Sequence, residues 1–299
     1  MSLYAFVGAI ETGLAFALVA LGAYVTFRVL DFPDLTVEGS FPFGAAVAAA
    51  LMIAGVNPWL ATAMATLAGA VAGLVTGLLN LKFRILNILS GILTAIALYS
   101  INLRVMGRPN IGLIGVDTVY STVEHLGIRA FYAPVVLLTV VVIICKLLLD
   151  LFLSTGYGLA MRAAGSNPRM ARANGINVNR MIYIGLAIAN ALTALSGALF
   201  GQMLGAADVS MGIGVIVVAL AAVIGGTALM PSRVIALATL ACVVGSLLYR
   251  LAIALALSSN AIGFTASDVN LVSAVLVAIA LYLPGRKIKI FKLLPRRAQ

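Results

Sequence analysis

Nine apolar segments, separated by short polar loops, constrain the fold of this chain more than any other feature. They lie at about residues 4–28, 38–55, 58–80, 85–105, 130–153, 182–203, 211–226, 233–257 and 269–284. A helix needs ~20 apolar residues to cross a bilayer, and 63% of the chain is hydrophobic whereas only 9% is charged. The pattern predicts an all-α, polytopic membrane protein of about nine transmembrane helices, within a range of about eight to ten.

Two of the nine segments are short for a full crossing. Segment two (38–55) and segment seven (211–226) each follow a turn-like stretch, "DFPDLTVEGSFPFG" and "GAADVSMGIG". Short, Gly/Pro-interrupted elements in matching positions of a membrane protein are typical of broken helices. The sequence leaves open whether these two segments cross the membrane or re-enter it.

The basic residues indicate which loops face the cytoplasm. Much of the formal net charge of +10 comes from short loops and from the tail "GRKIKIFKLLPRRAQ". This placement follows the positive-inside rule and does not indicate nucleic-acid binding. The loop 154–181 and the C-terminal tail are therefore both expected in the cytoplasm, and the N-terminus is expected outside if segments two and seven cross.

Two stretches of the chain are similar to each other and indicate an internal repeat. NILSGILTAIALY at 87–99 and NLVSAVLVAIALY at 270–282 share eight of thirteen positions, and 34–40 resembles 208–214. Repeat half 1 (1–106) would then match repeat half 2 (182–285) within a single transmembrane domain, 1–299. Matched spans are five apart, so the halves cross in opposite senses, and such an inverted repeat is typical of transporters.

A glycine pattern in the third segment predicts a close helix contact. Gly69, Gly73 and Gly77 form a G-x-x-x-G-x-x-x-G face, and small residues at this spacing let two helix backbones approach each other. Internal packing is the favoured interpretation, and contact with a second copy of the chain is the alternative.

The repeat-related regions supply the candidate residues of a translocation path. The helix starts near 38–43 and 208–214 would present N–H groups and partial positive charge, which suit the carboxylate of an amino acid. The Asn and Ser pairs at i and i+3 share a helix face, where they either line the path or hydrogen-bond between helices. The candidates are Glu38, Ser40, Phe41, Asn87, Ser90, Asp208, Ser210, Asn270 and Ser273.

The chain carries little that would power transport by itself. Of its nine acidic residues, only Glu11 lies clearly within an apolar span, which is few for a carrier coupled to ions or protons. Glu11 and Arg250 are expected either to pair or to face a cavity. The sequence has no G-x-x-x-x-G-K-S/T motif for ATP and no evident metal cluster or catalytic triad. A separate energising subunit is preferred, and a secondary carrier with the same repeat is the rival.

The polar stretch TGYGLAMRAAGSNPRMARANGINVNR, 155–180, interrupts the apolar chain near its middle. Its Asn-Pro pair suits a helix start and its later Gly suits a helix end, so a short helix of about two turns is predicted between them. This helix would be a rigid lever for a partner subunit, whereas the alternative is a basic loop on lipid headgroups. The candidate coupling residues are Arg162, Gly165, Asn167, Pro168, Arg169, Ala171, Arg172 and Gly175.

The same stretch resembles the cytoplasmic coupling segment of the branched-chain amino acid/sugar permease family of ABC transporters. Members carry the pattern T-x-x-G-x-x-x-R-A-x-G-x-N-x-x-A-x-x-x-G-I. The matching positions are Thr155, Gly158, Arg162, Ala163, Gly165, Asn167, Ala171, Gly175 and Ile176. Gly225-Gly226 also resembles a glycine turn of the family, although the following TALMPS departs from the usual run of small residues.

The resemblance implies an importer in which this chain is the permease subunit. It implies two permease copies, most simply a homodimer, two ATP-binding subunits and an extracytoplasmic solute-binding protein. ATP and Mg²⁺ would bind the ATPase subunits, so no cofactor is expected in this chain, which would lie among the lipids of the bacterial cytoplasmic (inner) membrane. The expected cargo is a small polar solute, an amino acid of the branched-chain or aromatic type, and sugars and nucleosides are the alternatives. DFPDLTVEGSFPFGAAV resembles a subgroup of these permeases, some of which are linked to aromatic amino acids.

Overall fold

The computed structural model describes residues 3–258, except for 126, 128 and 233. Eight of the nine predicted apolar segments fall in this range and each is helical; the ninth, 269–284, lies outside the described residues. Six helices of the described part are long and apolar enough to cross a membrane, and two apolar helices are shorter. The fold is therefore that of a largely helical, polytopic membrane protein.

Most of the described residues belong to eleven α-helices. The helices are α1 (Leu3–Ala23), α2 (Val37–Ile53), α3 (Pro58–Leu81), α4 (Asn87–Met106), α5 (Val119–His125), α6 (Ala133–Ser154), α7 (Gly156–Ser166), α8 (Pro168–Ala173), α9 (Val178–Leu204), α10 (Val215–Leu229) and α11 (Ile235–Ser258). A π-helical segment, Tyr24–Val29, continues α1. The strands β1 (Asn110–Gly112) and β2 (Ala206–Asp208) complete the fold.

The two short apolar helices are the two that the sequence predicted to be short. They are α2, of 17 residues, and α10, of 15 residues. Pro42 lies inside α2, where it has no N–H to give to the carbonyl one turn earlier. A helix that is both short and interrupted in this way fits a broken element better than a full membrane crossing.

The small sheet departs from the all-α prediction. β1 and β2 pair antiparallel, with Ile111 opposite Ala207. Each strand follows a long helix that ends in a left-handed glycine, Gly107 after α4 and Gly205 after α9. Glycine adopts this conformation without a steric penalty. The two segments that follow these helices therefore turn back and pair with each other as β1 and β2 beyond the helix ends.

The helix contacts follow the same pattern when each helix of one predicted half is replaced by its counterpart in the other half. α9 packs against α3 as α1 packs against α11, and the pair α2–α3 corresponds to the pair α10–α11. The two leading helices, α1 and α9, also pack against each other at the centre. This pairing scheme is the one expected if α1, α2 and α3 correspond to α9, α10 and α11.

The glycine face of α3 packs inside the chain, against α9. A Cβ added to Gly69 would collide with the side chain of Ala194, and one added to Gly73 would collide with the carbonyl of Leu186. Internal packing is therefore confirmed as the role of this face, because the backbones of α3 and α9 approach too closely for any side chain.

The outward face of α6 is apolar along its whole length. Val140, Ile144, Leu148 and Leu151 are each at least half exposed. Large apolar side chains at helical spacing are rarely left exposed to water in such numbers. A lipid-facing surface explains them.

Arg250 on α11 does not pair with Glu11 on α1. Its guanidinium carbon lies 3.9 Å from the centroid of the Phe16 ring instead. A cation over an aromatic face is attracted by the ring quadrupole, so Phe16 partly compensates the charge of the half-buried Arg250 and ties α11 to α1.

Candidate functional site

A cavity of about 460 Å³ lies between α2, α4 and the loop that leads from β2 to α10. Its polar lining side chains are Glu38 on α2 and Tyr99, Ser100 and Asn102 on α4; the other lining residues are apolar or glycine. Small-molecule sites in proteins have this volume and this balance of an apolar wall with a few polar groups. The cavity is therefore the first candidate for a solute site in the described part of the chain.

Glu38 is the predicted path residue that lines this cavity, but the start of α2 does not offer the free N–H groups expected there. The N–H of Glu38 donates to the carbonyl of Leu35 at 3.4 Å, and those of Gly39 and Ser40 donate to the carbonyl of Thr36 at 2.9 and 2.8 Å. The expectation of free donors at these three positions is wrong, because the preceding turn already supplies their acceptors.

Ser40 and Phe41 are fully buried and point into the protein. The Ser40 hydroxyl donates to Oδ1 of Asn190 on α9 at 2.7 Å. Phe41 packs with Phe16 and Phe200, with ring centroids 5.4 and 5.6 Å away. Neither residue is part of the cavity lining, and both hold α2 against its neighbouring helices.

Asp34, in the loop between the π-helical segment and α2, is completely buried. Its Oδ1 accepts from the Thr36 N–H at 2.9 Å, and its Oδ2 accepts from Asn190 Nδ2 at 2.8 Å. Asn190 in turn accepts from Ser40. A buried acidic residue in a membrane protein is rare and needs partners, and here those partners join the two proposed halves.

A chain of hydroxyls extends this network from the α2 loop to α4. The hydroxyls of Thr36 and Thr76 are 2.7 Å apart, and Thr76 donates to Thr94 at 3.0 Å. All three residues are nearly or fully buried. Polar groups that satisfy one another inside an apolar core specify one arrangement of the helices, so α2, α3 and α4 are held in a fixed register.

Asn87 and Ser90 bond to the protein and do not line the cavity. Asn80 Nδ2 on α3 donates to Asn87 Oδ1 at 2.7 Å, and the Ser90 hydroxyl donates to the Asn87 carbonyl at 2.7 Å. Of the two interpretations left open by the sequence, hydrogen bonding around the α3–α4 turn is the one that their placement favours. Asn270 and Ser273 lie outside the described residues.

Asp208 and Ser210 lie together at the end of β2, on the same side of the fold as the cavity-lining loop. Asp208 accepts from Asn110 Nδ2 on β1 at 3.0 Å and from the N–H and hydroxyl of Ser210. These donors, led by the Ser210 hydroxyl, lower the pKa of the Asp208 carboxyl from its usual value. Both residues thus stabilise a turn beside the cavity, and Val209, which lies between them in the sequence, lines the cavity.

Asn102 is one of the cavity-lining residues that the sequence did not single out. Its side chain is 0% exposed, and among the described residues neither its Oδ1 nor its Nδ2 has a hydrogen-bond partner. Nearly all buried polar side chains have such a partner. The packing of the described residues therefore gives no reason for a carboxamide at this place in the cavity wall.

The predicted short helix of the polar loop is present as α8, Pro168–Ala173. The Asn167 side chain accepts from the Met170 N–H at 3.1 Å, and Pro168 occupies the first turn. After the helix, Gly175 has φ +78° and the Ile176 N–H donates to the Ala171 carbonyl at 3.0 Å. These are the two capping interactions that the sequence predicted.

The exposed surface of α8 differs from the one expected. Ala171 is only 4% exposed and packs within the permease, whereas Met170 is 64% exposed. Arg169 and Arg172 are exposed on either side of Met170. The helix therefore presents an apolar side chain between two cations, and Ala171 fixes it to the rest of the chain.

The residues before α8 form another helix, α7, Gly156–Ser166. The Thr155 side chain caps α7 by accepting from the Gly158 N–H at 3.4 Å. Gly165 lies within α7, and a Cβ there would collide with the carbonyl of Val29. Gly165 thus permits a close contact between α7 and the end of the π-helical segment, beside which Arg162 is half-buried.

Sequence reasoning missed Asp34, Asn190 and Asn102 as candidates. Asp34 was visible as an acid in "DFPDLTVEGS", but its position before a helix made it look like a loop residue. Asn190 and Asn102 were visible as single amides within apolar spans. An amide flanked on both sides by apolar helix residues is the signal that would have marked them.

Comparisons with known proteins agree with the architecture. Residues 6–282 match the family described as "Branched-chain amino acid transport system / permease component". A "Tyrosine transport system permease protein" of Clostridioides difficile (strain R20291) is 41% identical over 264 residues, covering 88% of this chain and 86% of that protein. An uncharacterised protein of Rickettsia prowazekii (strain Madrid E) is 32% identical over 277 residues, covering 91% and 95%.

A solved structure has the same fold at low sequence identity. It is a metal-chelate-type ABC transporter in an inward-facing conformation, with TM-score 0.52, 15% identity and coverage of 95% of this chain and 85% of that one. The long apolar helices are those of a multi-pass membrane protein. The chain belongs to the branched-chain amino acid permease family of ABC transporters. It is a transport subunit and not itself an enzyme.

Proposed function

We propose that this permease imports an α-amino acid with an aromatic side chain, received from an extracytoplasmic solute-binding protein. The observation that carries the proposal is the 41% identity, over 88% of the chain, to a permease named for tyrosine transport. The cavity beside α2 and α4 supports it, because an apolar wall with a few polar groups suits a solute with a charged end and an apolar side chain.

The complete transporter would contain two copies of this permease, most simply a homodimer, and two ATPase subunits that bind ATP and Mg²⁺. It would lie in the bacterial cytoplasmic membrane with the loop 154–181 and the C-terminus on the cytoplasmic side. The arginines of the loop support that orientation, since cytoplasmic loops carry an excess of Lys and Arg.

The two halves would form an inverted repeat that underlies alternating access. The exchange pattern of helix contacts, α9 on α3 and α1 on α11, supports this proposal. Repeats of opposite orientation let one sequence adopt outward-facing and inward-facing states through the same set of packing interactions. About nine membrane helices, of which the last lies outside the described residues, would complete the two halves.

Helix α8 would be the element that inserts into the ATPase. Its end caps make it rigid, and Met170 offers the apolar contact while Arg169 and Arg172 offer charged donors. The planar guanidinium group of arginine binds a carboxylate through two parallel hydrogen bonds. The matching surface on the ATPase would therefore be an apolar cleft with acidic residues around it. The contact of Gly165 with Val29 joins this segment to the first membrane helix.

Uptake into proteoliposomes tests the cargo. The permease, its ATPase and its binding protein are reconstituted together, and ATP-dependent uptake of labelled L-tyrosine, L-leucine and D-ribose is measured. L-tyrosine should enter fastest and should compete with L-leucine. Uptake of D-ribose without uptake of either amino acid would refute the proposed cargo. Uptake that persists without ATP would instead point to a secondary carrier.

A single charge on α8 tests the coupling. Met170→Glu should abolish co-purification of the ATPase, because it places a carboxylate where an apolar contact is proposed. Phe83→Glu, in the loop between α3 and α4, is the matched control because Phe83 is 62% exposed and Met170 is 64% exposed. If M170E still binds the ATPase and supports uptake at the normal rate, α8 is not the coupling element.

A further inference from the structure

The strongest unexplained feature of the cavity is the buried carboxamide of Asn102. The residue lies on the same face of α4 as Thr94 and Leu98, and it is 0% exposed. Thr94 donates to the Ser90 carbonyl, whereas neither polar atom of Asn102 has a partner among the described residues. A buried amide without partners disfavours the empty state of the site, so a solute that supplies both partners gains binding free energy there.

We propose that Asn102 binds the zwitterionic end of the transported amino acid in the cavity between α2 and α4. A carboxamide has one accepting oxygen and one donating nitrogen on the same planar group. An α-amino acid presents a donating ammonium and an accepting carboxylate on adjacent atoms. Asn102 Oδ1 therefore accepts from the ammonium and Nδ2 donates to the carboxylate.

The remaining cavity wall fits the two other requirements of such a solute. Glu38 lines the same cavity and supplies a negative charge for the ammonium group. Ile92, Ile96 and Tyr99 line it along α4 and supply apolar surface for the side chain. The cavity is open at the exposed side chains of Ile96 and Tyr99, which are 64% and 51% exposed, so a solute can enter it. Both polar atoms of Asn102 are covered in this structure, so binding requires the carboxamide to turn toward the solute.

The close contacts around the cavity show why its shape is maintained. A Cβ added to Gly39 would lie 2.7 Å from the Cα of Ala95, which brings the backbones of α2 and α4 together. A Cβ added to Gly212 would collide with the Glu38 carbonyl and lie 2.7 Å from Cδ of Pro42. These contacts hold three walls in place, and a preformed site loses less entropy when it binds a solute.

The inference rests on the proposed function, since it places the solute of that function at a particular residue. The test uses the reconstituted complex with Asn102→Leu, a substitution of similar volume that removes both hydrogen-bonding atoms. Uptake of L-tyrosine and of L-leucine should each fall about tenfold or more, because two hydrogen bonds to charged groups are lost. The melting temperature of the purified N102L permease should be unchanged or higher, since Asn102 gives up no hydrogen bond to any residue that the structure describes.

Asn80→Leu is the matched control for stability. Asn80 is also a helical asparagine, but its Nδ2 donates to the Ile85 carbonyl and to Asn87. N80L should therefore melt at a lower temperature than the wild type, in contrast to N102L. If N102L is destabilised as much as N80L, Asn102 has a structural partner and the proposal is wrong.

Asn102→Gln separates hydrogen bonding from cavity shape. This variant keeps the donor and the acceptor, so its uptake should exceed that of N102L. Equal loss in N102Q and N102L, or normal uptake in N102L, would overturn the assignment. Failure of the wild-type complex to import any amino acid is a different result, because it refutes the proposed function before Asn102 is tested.

Discussion

Removing the buried carboxylate of Asp34 should destabilise the permease more than any other single change in the α2 loop. Asp34 is 0% exposed and accepts from the Thr36 N–H at 2.9 Å and from Asn190 Nδ2 at 2.8 Å. Asp34→Ala leaves the Thr36 N–H without an acceptor and removes one of the two acceptors of Asn190 Nδ2, which keeps its bond to the Leu186 carbonyl at 3.0 Å. Each buried N–H left unpaired costs about 1–3 kcal/mol, so the expected loss is ~2–6 kcal/mol.

Asp34→Asn should cost less than Asp34→Ala, since the amide oxygen still accepts from one of the two donors. Its expected cost is about 1–3 kcal/mol. The order of melting temperature, measured by the loss of monodisperse permease on heating in detergent, should be wild type, then D34N, then D34A. Asp31→Asn is the control, because Asp31 is exposed and its removal leaves no buried donor.

The double variant Asp34→Leu with Asn190→Leu probes the pair itself. Removing both polar partners together should cost less than Asp34→Leu and Asn190→Leu added together, because the bond between them is lost in each single variant and only once in the double variant. A D34A protein with the same melting temperature as the wild type and D31N would refute the reasoning. It would mean that water or another group already satisfies these donors.

Three further predictions concern packing, orientation and pH. Gly73→Ala should lower the melting temperature and cost ~1–3 kcal/mol of stability, because the added Cβ meets the backbone of α9. Gly8→Ala is the control, because a Cβ there has open space and should leave the melting temperature unchanged. Equal melting temperatures of the two variants would contradict the close contact. A cysteine at Ser166 should resist an impermeant thiol reagent in intact cells while one at Ile114 reacts, and the reverse pattern would invert the topology. The lowered pKa of Asp208 means that its stabilisation is present above the unfolded pKa of ~3.9 and is lost as pH falls through the lower folded value. The melting difference between wild type and Asp208→Asn should therefore shrink below about pH 4, and a difference that does not change with pH would contradict the assigned hydrogen bonds.

The sequence determined the features that depend on neighbouring residues. Apolar runs predicted where the helices lie, so the third segment, 58–80, corresponds to Pro58–Leu81. The Asn167-Pro168 start and the Gly175 end predicted α8 because helix caps are hydrogen bonds between residues a few positions apart. The two short apolar helices were recognisable for the same reason, because their length and the turn-like stretches before them are also local features of the sequence.

Tertiary structure decided which polar side chains meet and which way they face. Asp34 and Asn190 are 156 positions apart, and no local pattern in an apolar chain specifies that pairing. Ser40 was expected in the path and is buried against Asn190 instead, whereas Asn102 was not singled out and lines the cavity. The periodicity of a helix tells which residues share a face, but only the packing of α2, α4 and α9 determines whether that face meets protein, solute or lipid.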